Sequence, residues 1–127
     1  MEHQLFICTT CASVWQDGKT VGISGGTHLL RELSELHKNW ELNTQFPLKP
    51  VACMSACNRS CTVSFVANGK FTYLFGDLPS NAEKLIETSQ AILDCANLYY
   101  QKADGLLSWN ERPEPLKKGI LAKIPPA

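Results

Sequence analysis

A mixed α/β sheet covered by helices, built in the order strand, helix, strand, strand, strand, helix, is the fold class this sequence predicts. Three observations carry it. Short apolar runs end abruptly in polar or cysteine-bearing loops at residues 4–8 and 51–54. Leucines recur at helical spacing after Thr27, and an Asn68-Gly69 pair separates two strand-like runs. A β-α-β unit followed by an antiparallel hairpin and a helix gives a four-stranded mixed sheet with helices as cover, and the right-handed crossover rule places the ends of the first two strands on one edge.

Each element has its own cause. "QLFIC", residues 4–8, is branched or aromatic and stops at "TTC", as a buried strand entering a loop does. "DGKTVGISGG", residues 17–26, reads as a glycine-bearing connection, after which Thr27 caps a helix carrying Leu29, Leu30, Leu33 and Leu36 and ending near residues 38–40. The prolines of "FPLKPVACM" exclude a helix, and the second strand is expected from Val51 to Met54. In "CTVSFVANGKFTYLFG" the Asn-Gly pair predicts a two-residue type I′ turn, with Phe65 facing Thr72 and Val63 facing Leu74. Both faces of that hairpin carry large apolar groups, so the sheet is expected to be covered on both sides. Ser80 with Glu83 forms a capping-box pattern opening a second helix through Leu85, Ile92 and Ala96 towards Tyr99. Residues 103–127 are proline-rich without a period and read as an extended C-terminal arm, with a short turn around "PLKKGIL", lying over a single domain of residues 1–127.

Composition narrows the function. Twelve basic residues balance twelve acidic ones in 127, so there is no broad positive field for a nucleic acid or an anionic membrane. The N-terminal stretch lacks the basic region and long apolar run of a secretory signal, and no segment is apolar for the length of a membrane span. The expectation is a cytoplasmic protein with reduced thiols, where clustered cysteines signal metal or redox chemistry rather than structural disulfides.

Five of the six cysteines fall in the two loops at the predicted strand ends: Cys8 and Cys11 after the first strand, and Cys53, Cys57 and Cys61 after the second. Four thiolates arriving as two pairs can form a tetrahedral zinc site or hold a 2Fe-2S cluster, in which each iron takes two cysteine sulfurs. A C-x2-C pair following a first strand is also where a thiol oxidoreductase carries its active dithiol, although "TT" between Cys8 and Cys11 and the lack of a helix directly after Cys11 do not suit it. Cys95 sits inside the second helix and is expected in the core. His3, His28 and His37 are scattered, and each is expected to be a surface or capping residue. No general base, phosphate-binding glycine loop or carboxylate pair accompanies the cysteines, so the sequence does not support an enzyme.

The run "VACMSACNRSCTVSFV", a strand entering a C-x3-C pair and then a hairpin, resembles the second cysteine cluster of thioredoxin-like 2Fe-2S ferredoxins. "CTTC", "CMSACNRSC", "GKFTYLFGDL", "WNERP" and "ILAKIPP" together resemble a family of small uncharacterised bacterial proteins described as predicted metal-binding. The resemblance implies a thioredoxin-like fold, a 2Fe-2S cluster held by Cys8, Cys11, Cys53 and Cys57, electron transfer or redox sensing with a redox protein partner, and pairing as a homodimer. Zinc at the same four thiolates is the alternative cofactor. Cys61 is surplus to that set: it is an alternative ligand, a resolving thiol or a core residue at the start of the third strand. Asn58, Arg59 and Ser60, with Thr9 and Thr10, supply hydrogen-bond donors for cluster sulfurs or form ordinary turns. Trp109, Glu111 and Arg112 are expected to anchor the arm, the arginine on a carboxylate.

Overall fold

A computed structural model of the chain describes residues 3–8, 14–16, 19–21, 25–51, 62–78, 83–117 and 119–126. In chain order the elements are β1 (His3–Cys8), β2 (Val14–Gln16), β3 (Lys19–Val21), α1 (Gly25–Lys38), β4 (Leu48–Val51), β5 (Val63–Ala67), β6 (Thr72–Phe75), α2 (Leu85–Gln101) and β7 (Ile120–Ile124). The main sheet runs β4-β1-β5-β6-β7, and β2 pairs with β3 separately. β4 lies parallel to β1, as the crossover requires, and the other neighbours are antiparallel.

Strand alternation explains the core. Leu5 and Ile7 register with Phe65 and Val63, which register in turn with Tyr73 and Phe75, so all six share one face, and all are at most 1% exposed. Leu29 and Leu33 of α1, Phe46, and Ile92, Ala96 and Tyr99 of α2 join them in a single cluster. Gln4, Phe6, Val66 and Leu74 alternate onto the other face and are only half-buried. The two helices pack on each other and on the same core, so the expected cover on both faces is replaced by one helical layer among the described residues.

The hairpin corrects the predicted register by one residue. Phe65 faces Tyr73 rather than Thr72, and Val63 faces Phe75 rather than Leu74. The turn itself is the cause. Gly69 has φ 76° while Asn68 does not enter the positive region, and the Lys70 N–H donates to the Ala67 carbonyl at 3.2 Å: a type II pattern, not the type I′ turn expected of Asn-Gly. Because the side-chain period is two, this one-residue slip moves Phe65 onto the face of Tyr73 and Phe75 and gathers the aromatics into one core. Lys70 then turns inward. Its ammonium donates to the last carbonyls of α2, those of Tyr99 and Tyr100, at 2.9 Å each, and the Tyr99 hydroxyl donates to the Phe71 carbonyl at 2.5 Å. The hairpin tip is thereby fastened to the C-terminus of α2, where a cation opposes the helix dipole.

The sheet has five strands, not four. Residues 120–124, assigned above to an extended arm, form β7 against β6, while the rest of the arm makes 3-10 turns at Trp109–Glu111 and Glu114–Leu116. Gly119 permits this pairing: its carbonyl accepts from the Gly76 N–H at 2.7 Å, and a Cβ on Gly119 would lie 2.2 Å from the Gly76 oxygen. Gly119→Ala is therefore expected to destabilise the protein by about 3 kcal/mol, read as a lowered denaturant midpoint. A cost below about 0.5 kcal/mol would mean that the Gly76–Gly119 approach does not hold β7 in place. The pair β2–β3 also replaces part of the expected loop. β4 begins at Leu48, three residues earlier than predicted, and accommodates Pro50 because it is an edge strand, whose outward side needs no N–H donor; residues 52–54 of the expected strand lie outside the described residues. Helix starts differ too. α1 opens at Gly25, placing Thr27 inside it, and α2 opens after Lys84, which makes no side-chain cap bond. Ser80 lies outside the described residues.

Candidate metal centre

The chemistry expected of this chain belongs at one edge of the sheet, where β1 and β4 end and β5 begins. Cys8 is the last residue of β1 and is 1% exposed. Its N–H donates to the Thr62 carbonyl at 3.2 Å, and it registers with Val51 on the other side. Val51 and Thr62 therefore flank Cys8 on neighbouring strands, about 10 Å apart at two strand spacings. The segment joining them, residues 52–61, carries Cys53 two residues beyond Val51, Cys61 one residue before Thr62, and Cys57 midway. Cys11 follows Cys8 by three residues. Cys11, Cys53, Cys57 and Cys61, with Thr9, Thr10, Asn58, Arg59 and Ser60, lie outside the described residues. Among the described residues, no three His, Cys, Asp or Glu side chains are grouped to hold a metal. What the fold fixes is the three strand ends from which five thiols depart.

Helix polarity favours negative charge at that edge. The C-terminus of α2 lies at the opposite end, where the Tyr100 ring is 4.7 Å from that of His3 at the start of β1. The C-terminus of α1 lies there as well, because His37 Nε2 donates to the Phe46 carbonyl at 2.9 Å and the Phe46 ring is 5.3 Å from His3. Both helices thus run antiparallel to β1 and direct their N-terminal, partially positive ends towards the cysteine edge, where thiolates or a cluster would carry negative charge. Sequence reasoning did not find this, nor the role of the Thr62 carbonyl, because pairing between β1 and β5 joins segments far apart in the chain and leaves no local pattern.

Residues expected elsewhere can be placed. Cys95 is fully buried in α2 as predicted, and burial pushes its thiol pKa up to about 12, with Arg112 opposing and Asp94 adding to the shift. His3 is 4% exposed within the core end remote from the cysteines, and His28 is exposed on α1. Among the described residues Arg112 takes no carboxylate. It is 7% exposed, and its Nε and Nη1 have no hydrogen-bond partner among the described residues. Glu111 binds Lys102 at 2.6 Å instead and closes a capping box with Ser108, and those hydrogen bonds hold its carboxyl well below the usual range, at about 2. Trp109 remains exposed, with the Lys117 ammonium 4.6 Å from its ring centre.

Comparison with known proteins agrees with this architecture. A family model described as "Protein of unknown function (DUF1636)" matches residues 5–126, and the chain belongs to that family. Two solved structures share its fold, both thioredoxin-like [2Fe-2S] ferredoxins from Aquifex aeolicus. The first has a TM-score of 0.56 at 14% identity, covering 96% of this chain and 92% of the other. The second, the wild-type protein at 1.5 Å, has a TM-score of 0.54 at 15% identity, covering 95% and 97%. No curated protein matches the chain at a significant level. The fold is thioredoxin-like, as expected, with one strand more in the main sheet than predicted and a separate β2–β3 pair. Among the described residues no helix is long and apolar enough to cross a membrane.

Proposed function

We propose that this DUF1636 protein holds one 2Fe-2S cluster and serves in one-electron transfer or redox sensing in the cytoplasm, with a second redox protein as its partner. The observation that carries this reading is the position of Cys8, buried at a strand end between the two strands from which Cys53, Cys57 and Cys61 depart. A donor set of soft sulfurs suits iron–sulfur or zinc rather than a hard cation. Cys8, Cys11, Cys53 and Cys57 would hold the group, which when bound supplies a reversible one-electron couple. The protein's own part is to spend the Cys8 N–H on Thr62, fixing that strand end, to exclude water at Cys8, and to aim two helix N-termini at the negative charge.

The rival dithiol mechanism fits the geometry poorly. An attacking thiol must be accessible, and Cys8 is 1% exposed. Among the described residues, the element following Cys11 is a strand, β2, and the first helix is α1, opening at Gly25. Anaerobically prepared protein should be coloured, contain two irons per chain and give an EPR signal on reduction. Colourless protein with stoichiometric zinc, silent in EPR, would sink the iron–sulfur assignment and favour zinc. Sedimentation of the loaded protein checks the accompanying proposal that it pairs as a homodimer.

A further inference from the structure

The segment between α2 and β7 is seated differently from the rest of the chain. Its ends are fixed: the Leu107 N–H donates to the Tyr73 hydroxyl at 3.0 Å, and the Gly119 carbonyl accepts from the Gly76 N–H at 2.7 Å. Between them, the hydrogen bonds and ion pairs described for residues 108–117 stay within the segment, apart from that of Glu111 with Lys102. Leu116 is fully buried and holds the segment down, whereas Trp109 is half-exposed. A groove of about 300 Å³ runs along the seam, with Gln90, Ala91 and Asp94 of α2 on one side and Pro113 and Glu114 on the other.

Arg112 works against that seating. It is 7% exposed, and its Nε and Nη1 have no acceptor among the described residues. A guanidinium stripped of water and short of acceptors costs free energy while the segment is closed and recovers it on hydration. Arg112 stands close enough to Cys95 for its charge to act on that thiol, so lifting the segment uncovers the fully buried Cys95 turn of α2. Few buried anchors, no described backbone bond to a neighbouring element and a desolvated cation together define a region that opens well before the fold as a whole.

We infer that residues 108–117 form a redox-responsive strap, which lifts from α2 between its fixed ends, uncovers Cys95, and stays open once that thiol forms a mixed disulfide with a small-molecule disulfide. In the exchange the Cys95 thiolate, its proton passed to water, attacks one sulfur of the small disulfide; a new S–S bond forms and the other half leaves as a thiolate. Cys95 is oxidised and the departing half is reduced. The closed strap leaves no room for the adduct, because Cys95 is 0% exposed beneath it. In the closed form the thiol is inert, since burial holds its pKa at about 12, and lifting the strap removes that cause. The device is independent of what the cysteine edge binds.

Treating the full chain with a pyridyl disulfide in graded, sub-denaturing urea, with peptide mass mapping at Cys95, tests it. The Cys95 rate should rise with reagent concentration and show less than about half the urea dependence of global unfolding. Arg112→Met, which keeps an apolar side chain of similar length and removes the buried charge, should slow modification at least about tenfold. Lys102→Ala, which cuts the tie to Glu111, should speed it roughly twofold. Protein modified at Cys95 should lose amide protection at Leu116 and Lys117 while the amides of α2 keep theirs. Modification only in step with global unfolding, a rate in Arg112→Met no slower than in the unaltered chain, or intact protection at Leu116 after modification would each overturn the strap. Should Arg112→Met fail to fold, the urea dependence and Lys102→Ala decide.

Discussion

On the proposed ligand set, Cys8→Ala is expected to abolish stable iron–sulfur or zinc loading while leaving a folded protein, at a cost of about 1 kcal/mol for the lost sulfur. Absorption and metal content report the first half, and circular dichroism the second. The expectation follows from where Cys8 sits: at 1% exposure, with its N–H on Thr62, it is the one of the five thiols that lies among the described residues, held at the end of β1. Cys95→Ala is the control. Buried in α2 with a pKa of about 12, Cys95 is roughly one part in ten thousand thiolate at pH 8, so it should neither bind metal nor react with iodoacetamide in the native state. Cys61→Ala discriminates among the remaining roles. A normal spectrum leaves the set Cys8, Cys11, Cys53 and Cys57 standing; loss of metal here, with retention in Cys57→Ala, replaces Cys57 by Cys61.

Tyr99→Ala should cost about 4 kcal/mol, lowering the thermal midpoint by roughly 15 °C. Tyr99 is fully buried, and its ring contacts Phe46, Phe65 and Tyr73 at centroid distances of 6.1, 5.5 and 6.3 Å. Its hydroxyl also donates to Phe71, joining α2 to the segment entering β6. Tyr99→Phe keeps the packing and loses only that bond, for about 1 kcal/mol. Equal costs for the two substitutions would show that the hydrogen bond, not the aromatic core, dominates at this position.

What was legible in the sequence depended on distance along the chain. The first strand, both helices and the hairpin have local patterns: an apolar run, leucines at helical spacing, a turn dipeptide. Their existence was readable; the turn type was not, because Asn-Gly serves both a type I′ and a type II geometry and the packing of Phe65 against Tyr73 and Phe75 selects between them. β7 was missed because nothing within "ILAKI" distinguishes an arm from a strand. Its partner β6 and the Gly76–Gly119 approach supply the pairing. At the candidate site, clustering of cysteines at two strand ends was readable from spacing, and the fold places the ends of those strands side by side. The anchoring by Thr62 was not readable, since it arises from pairing between remote segments.

That anchoring also bears on how tightly a metal centre is kept. Gathering the ends of a free ten-residue peptide costs about 2 kcal/mol of chain entropy, by the logarithmic closure law. In this fold the cost is met by hydrogen bonding of β4 and β5 to β1 before any metal arrives, since Val51 and Thr62 are already held on either side of Cys8. The same number of thiols on an untethered peptide would have to offset that ordering out of the metal's own binding energy. For the proposed centre the sheet would contribute a factor of roughly thirty in retention, and mutations that loosen β4 or β5, far from any sulfur, should speed metal loss to a chelator.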